Sequence, residues 1–169
     1  MHITGQSNLE EYVRAMCGRD DVYVYISKDI CDLYKAGAMV LMDWDIQFIR
    51  SLTLKEFIQW FDINKRSVDR FKRTFKEIKK LKTPSVIFST KRVCTTWVMH
   101  ETGHVVTGYS TGGNGEYRAH MWAIKKARKL GDKKLEKDLL KEAREWLKED
   151  IKGQFRKHVL AARRILVKK

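Results

Sequence analysis

Residues 100–104 read His100-Glu101-Thr102-Gly103-His104, and they lie within a stretch that is apolar around a helix. Read as one helix from about Lys91 to Thr107, that stretch places Val93, Trp97, His100 and His104 on one stripe, while Val98, Met99 and Val105 make other faces apolar. Such a helix is expected to be largely buried. Burying two imidazoles and a carboxylate without partners costs several kcal/mol, so the fold must bring partners to this helix. Four residues advance about 6 Å along an α-helix and return to nearly the same face, which lets two imidazoles converge on one ion. Glu101, one step round, can reach water held by that ion without binding the ion itself. Neutral imidazole suits Zn²⁺, and the pKa of water bound to it falls to about 7, within reach of a carboxylate base. The competing reading is a pair of core histidines bonded to backbone carbonyls.

A zinc site that performs chemistry needs a third protein ligand and an open position. The downstream candidates are Glu116 and His120, an i, i+4 pair that follows the clearest loop in the chain, marked by Gly108, Gly112, Gly113 and Gly115. Glu116 opens its helix directly after that turn and is the favoured ligand. His120 is the alternative; otherwise it orients Glu116 or donates to a developing oxyanion. Gly103 and Ala119 are small enough to let the two helix backbones approach closely. Tyr109, Tyr117 and Arg118 are further oxyanion candidates, among which spacing does not choose.

His100-Glu101-x-x-His104 followed by Glu116-x-x-Ala119-x-x-Trp122-Ala123 resembles the Glu-ligand (gluzincin) class of zinc metallopeptidases, most of all its small ImmA/IrrE-like and phage-type members. The resemblance covers roughly residues 86–130. It implies a minimal zincin fold, in which a small twisted sheet supports an active-site helix carrying both histidines and a following helix supplies the glutamate. It also implies His100, His104 and Glu116 as Zn²⁺ ligands, Glu101 as general base, and a peptide or protein as substrate. The first 80 residues show no pattern of that family, and the basic C-terminal helices are additional to its minimal fold.

The rest of the chain bounds the setting. At 169 residues and 43% apolar content it can fill a core, which excludes wholesale disorder. A mean hydropathy of −0.48 and the lack of a long apolar run exclude a membrane-spanning helix. The first residues lack the pattern of a signal peptide, so the cytoplasm is the expected location. Cys17, Cys31 and Cys94 are odd in number and widely spaced, as reduced thiols would be. Helical patterns are expected at Asn8–Met16, Thr53–Phe61, Arg66–Leu81, Glu116–Lys129, Asp132–Glu149 and Lys152–Val167, and strands at Val22–Ile26, Ala38–Trp44 and Val86–Phe88. The expected fold is α+β and mostly helical. A zincin-like domain would span 1–130, with a basic helical extension, 131–169, packed on it.

Charge supports a second function class. The chain carries 35 Lys+Arg against 21 Asp+Glu, a net +14. Residues 1–64 hold six basic and ten acidic side chains, so the excess lies wholly in 65–169. Such a field attracts nucleic acid, although a Lys- and Glu-rich surface of thermophile type reads the same way. Residues 53–73 resemble a helix-turn-helix, with Lys65, Arg66, Arg70 and Arg73 on or near its second helix as candidate nucleic-acid contacts. Two features depart from that motif: Asp62 stands where glycine usually makes the turn, and Ile58 replaces a small residue at the helix crossing. The alternative to a peptidase is therefore a DNA-binding regulator whose metal site is structural or vestigial.

Overall fold

The two β-rich runs around Val24 and Val86 become neighbouring strands. In the computed structural model, which describes residues 1–108, 113–148 and 156–167, the chain is mostly helical with a small sheet, an α+β fold. It divides into two compact units, Thr4–Val93 and Met1–Ile3 with Cys94–Lys169.

After a short strand β1 (His2–Thr4), the first unit contains α1 (Gln6–Cys17), β2 (Tyr23–Ile26), α2 (Lys28–Leu33), β3 (Ala38–Leu41), α3 (Asp43–Ser51), α4 (Leu54–Trp60), a 3-10 turn at Lys65–Ser67, α5 (Val68–Ile78) and β4 (Ser85–Phe88). The sheet has the order β2-β4-β3. Strand β4 runs parallel to β2, with Tyr23 opposite Ser85, and antiparallel to β3, with Ala38 opposite Phe88. Every residue of β4 is buried, as befits a central strand covered on both faces. Ile30, Ile46, Ile49, Phe57, Phe75, Ile78 and Ile87 form the core, with the Phe57 ring 4.5 Å from that of Phe75.

Two expectations change here. The strand expected over Ala38–Trp44 stops at Leu41, because the Asp45 carboxylate accepts the Met42 N–H at 2.8 Å and turns the chain into α3. The periodicity shows neither α2 nor α3, both too short to display it. Helix α4 starts on a capping box, in which the Thr53 N–H donates to Glu56 Oε2 at 2.7 Å and the Glu56 N–H donates to Thr53 Oγ1 at 3.3 Å. It ends at Asp62, which adopts φ +47 while the Ile63 N–H donates to the Ile58 carbonyl and the Asp62 N–H to that of Gln59. An aspartate thus makes the left-handed helix stop that glycine usually makes.

Strand β5 (Arg92–Cys94) runs across the chain boundary after Val93, and the second unit goes on with α6 (Thr95–Thr107), α7 (Gly113–Lys129), α8 (Lys133–Trp146) and α9 (Arg156–Val167). The helix expected from Lys91 begins only at Thr95. Val93 is buried in a strand, so its helical spacing from Trp97 has no structural counterpart, and Trp97 is 45% exposed. From Val98 to Val105 every residue of α6 is buried, and the helix stops at Gly108 with φ +70. Helix α7 packs on α6, α8 and α9. A Cβ on Gly103 would lie 2.8 Å from Ala119 Cα and closer still to the Ala119 carbonyl, so only glycine permits this approach of α6 and α7. The Asp132 carboxylate caps α8 by accepting the Leu135 N–H at 2.8 Å. The boundary expected at 130/131 falls inside this unit, between α7 and α8, because α8 and α9 pack directly on α7. Lys152, the expected start of the last helix, lies outside the described residues. No helix among the described residues is long and apolar enough to cross a membrane.

Candidate metal centre

Helix α6 presents His100 and His104 one turn apart, and the close approach at Gly103 sets the first turns of α7 against them. Glu116 Oε2 lies 3.0 Å from His100 Nε2 and 3.4 Å from His104 Nε2, and the two Nε2 atoms are 3.2 Å apart. All three residues are buried, and their donor atoms could hold one metal ion. Donors held about 2.0–2.1 Å from a tetrahedral ion sit about 3.3–3.4 Å from one another, so the observed triangle has the size of one face of such a site.

Hydrogen bonding around the triangle fixes its chemistry. His120, fully buried on α7, donates from Nε2 to the Leu139 carbonyl at 2.9 Å. Burial, followed by the neighbouring His100, pushes the His120 pKa down to about 3, against the bond to Leu139, and keeps the ring neutral. Its Nδ1 is therefore an acceptor, and the 3.3 Å contact with His100 Nδ1 is a bond donated by His100. A neutral His100 then has its Nε2 lone pair facing the Glu116 carboxylate. Acceptor facing acceptor at 3.0 Å requires a cation between them, either a proton or a metal ion. Where protons fill the gap, hydrogen bonds from His100, His104 and His158 outweigh the effect of burial, which by itself would raise the Glu116 carboxyl, and hold the group below the usual carboxylate range.

Of the two candidates for third ligand, Glu116 joins the histidine pair and His120 orients His100 from behind. Glu101 is 9% exposed, on the helix turn that carries the pair. Of the oxyanion candidates, Tyr117 lies beneath the Arg164 guanidinium, 4.2 Å from ring to charge, Arg118 is exposed, and Tyr109 lies outside the described residues.

Three site residues escaped the sequence reading. His158 on α9 approaches Glu116 Oε2 with Nε2 at 3.4 Å. The Trp146 ring on α8 packs against His100, His120 and His158, with centroids 5.5, 4.5 and 5.0 Å away. Glu142, also on α8, has its carboxyl pushed up by burial, with Glu101 acting the same way and His100 and Thr96 opposing. Four of the five histidines in the chain gather at this centre, a concentration that the small histidine count could have signalled.

In the first unit, Arg66 and Arg73 are exposed, and the side chain of Lys65 lies outside the description. Arg70 is turned onto α2, with its guanidinium 2.5 Å from Asp29 and 2.6 Å from Asp32. No family model, curated protein or solved structure matches the chain.

Proposed function

We propose that the chain is a zinc-dependent metallopeptidase of the Glu-ligand class. The observation that carries this reading is the buried convergence of His100 Nε2, His104 Nε2 and Glu116 Oε2 from two helices. These three residues would hold Zn²⁺, a choice supported by the mixed imidazole and carboxylate donor set. When bound, the ion supplies Lewis acidity, which polarises a carbonyl and acidifies water. His120 keeps the lone pair of His100 aimed at the centre by accepting its Nδ1–H. Glu101 is the general base: its carboxylate takes the proton of the attacking water and delivers it to the departing amine as the C–N bond breaks. Trp146 excludes solvent from the imidazole cluster.

Elemental analysis of protein purified without chelator tests the ligand set. The expected content is near one zinc per chain, falling in Glu116→Ala. Glu101→Gln is expected to keep the zinc and lose peptide hydrolysis. Protein that takes up no zinc refutes the reading.

A nucleic-acid role has a narrower basis. Residues 53–73 hold α4 and the start of α5, separated by residues 61–67 with their 3-10 turn; Arg66 and Arg73 are exposed, but Arg70 is engaged by Asp29 and Asp32. Duplex DNA binding that weakens steeply with salt and is lost in Arg66→Glu with Arg73→Glu would support this second function.

A further inference from the structure

The second unit also holds a cavity of about 490 Å³, bounded by the first turn of α6 and by α8. Its walls include two indoles, Trp97 and Trp146, and four acidic side chains, Asp132, Asp138, Glu142 and Glu145, against two lysines. In a chain of net charge +14 this is a local reversal of sign. Three of the acids are already engaged: Asp138 holds Lys134 at 2.8 Å, Glu145 faces Lys148 at 3.3 Å, and Asp132 caps α8. Glu142 differs. Thr96 hydrogen-bonds its carboxyl, but its Oε2 is buried and accepts no hydrogen bond among the described residues. Thr95 Oγ1, on a residue only 2% exposed that also lines the cavity, has no partner among them either. A buried oxygen left without a donor costs about 1–3 kcal/mol, so a ligand that brings donors to this wall would recover that cost.

The ligand chemistry follows from the walls. A guanidinium carries five N–H donors and a delocalised charge, pairs with a carboxylate through two bonds, and stacks on indole faces. The cavity also abuts the metal centre: Thr96 precedes His100 by one helical turn, about 6 Å, and Trp146 touches the His100 ring while lining the cavity. That distance is roughly two residues of extended peptide.

We propose that this cavity is a specificity pocket in which Glu142, flanked by Trp97 and Trp146, receives the guanidinium of an arginine side chain in a polypeptide substrate, one or two residues from the bond that is cut. The proposal rests on the peptidase reading for its substrate, but its test reads binding. Titrate the full chain, as purified, with N-acetyl-arginine amide and with the neutral isostere N-acetyl-citrulline amide, by calorimetry and tryptophan fluorescence. The arginine amide is expected to bind at least about tenfold more tightly, and Glu142→Gln is expected to erase the difference. Equal affinity for the two amides in the unaltered protein overturns the pocket whether or not the variant folds, as does a preference that persists in Glu142→Gln. Zinc-dependent cleavage without the arginine preference overturns the pocket and leaves the peptidase standing. A Glu142-dependent preference in protein that takes up no zinc supports the pocket and refutes the peptidase.

Discussion

The unit Thr4–Val93 buries mainly hydrocarbon. Its core is a sheet of four-residue strands under isoleucines and phenylalanines, and the polar residues it buries are Ser27, Thr74 and Ser85. The unit formed by α6 to α9 buries Thr95, Thr96, His100, Glu101, Thr102, His104, Glu116 and His120, five of the eight ionisable, with His100 meeting Glu116 and His120 across the α6–α7 contact. The first arrangement stabilises itself, because apolar burial needs no partner of matching charge. The second is complete only when a cation satisfies the acceptors, so its stability is linked to whatever the site binds.

That contrast is open to experiment. The largest effect is expected from metal removal: chelation should cost α6 to α9 several kcal/mol of hydrogen-exchange protection while α5 and β4 remain protected. Unchanged exchange in α6 to α9 would break the comparison. Next, Phe57→Ala empties a site in the apolar core and should destabilise Thr4–Val93 by about 3–5 kcal/mol in urea unfolding, with metal content unaltered. Gly103→Ala should cost about 1–3 kcal/mol and also lower metal content, because the methyl group meets the Ala119 backbone and drives Glu116 from the histidines. Asp62→Gly should stabilise the first unit by about 0.5–1 kcal/mol, since glycine adopts φ +47 without strain.

The smallest effect concerns acid. Hydrogen bonds from Lys28 and then Arg70 hold the Asp32 carboxyl below its ordinary value of 3.8. A depressed carboxyl contributes stability above its unfolded pKa and loses it as pH falls through the folded one. The stability gap between the unaltered chain and Arg70→Ala should therefore be present at pH 7 and close below about pH 4. A gap that widens in acid would show that the pairing of Arg70 with Asp29 and Asp32 is not its source.

Legibility in the sequence tracked the range of the interaction. His100, Glu101 and His104 are related by one helical turn, and Glu116 follows across a single loop, so local spacing was enough to nominate all four. Gly103 and Ala119 could be matched by size alone. His158, Glu142 and Trp146 reach the centre only through the packing of α8 and α9, which no periodicity encodes. The same limit explains the false start of α6. Val93 sits at helical spacing from Trp97, yet its three-residue strand is made by hydrogen bonding to β1, far earlier in the chain, and not by its own pattern.

By itself the sequence determined the α+β character, the two histidines and glutamate on one helix, and the carboxylate beyond the glycine-rich segment, because each depends on backbone geometry within a few turns. Tertiary structure alone decided that His120 orients His100 while Glu116 faces it, that Arg70 is held by α2, and that Trp146 lines a cavity with Glu142 while packing on the candidate metal centre. Those outcomes depend on which helix faces meet, and that choice is set by the summed packing of the unit, down to the one missing side chain at Gly103.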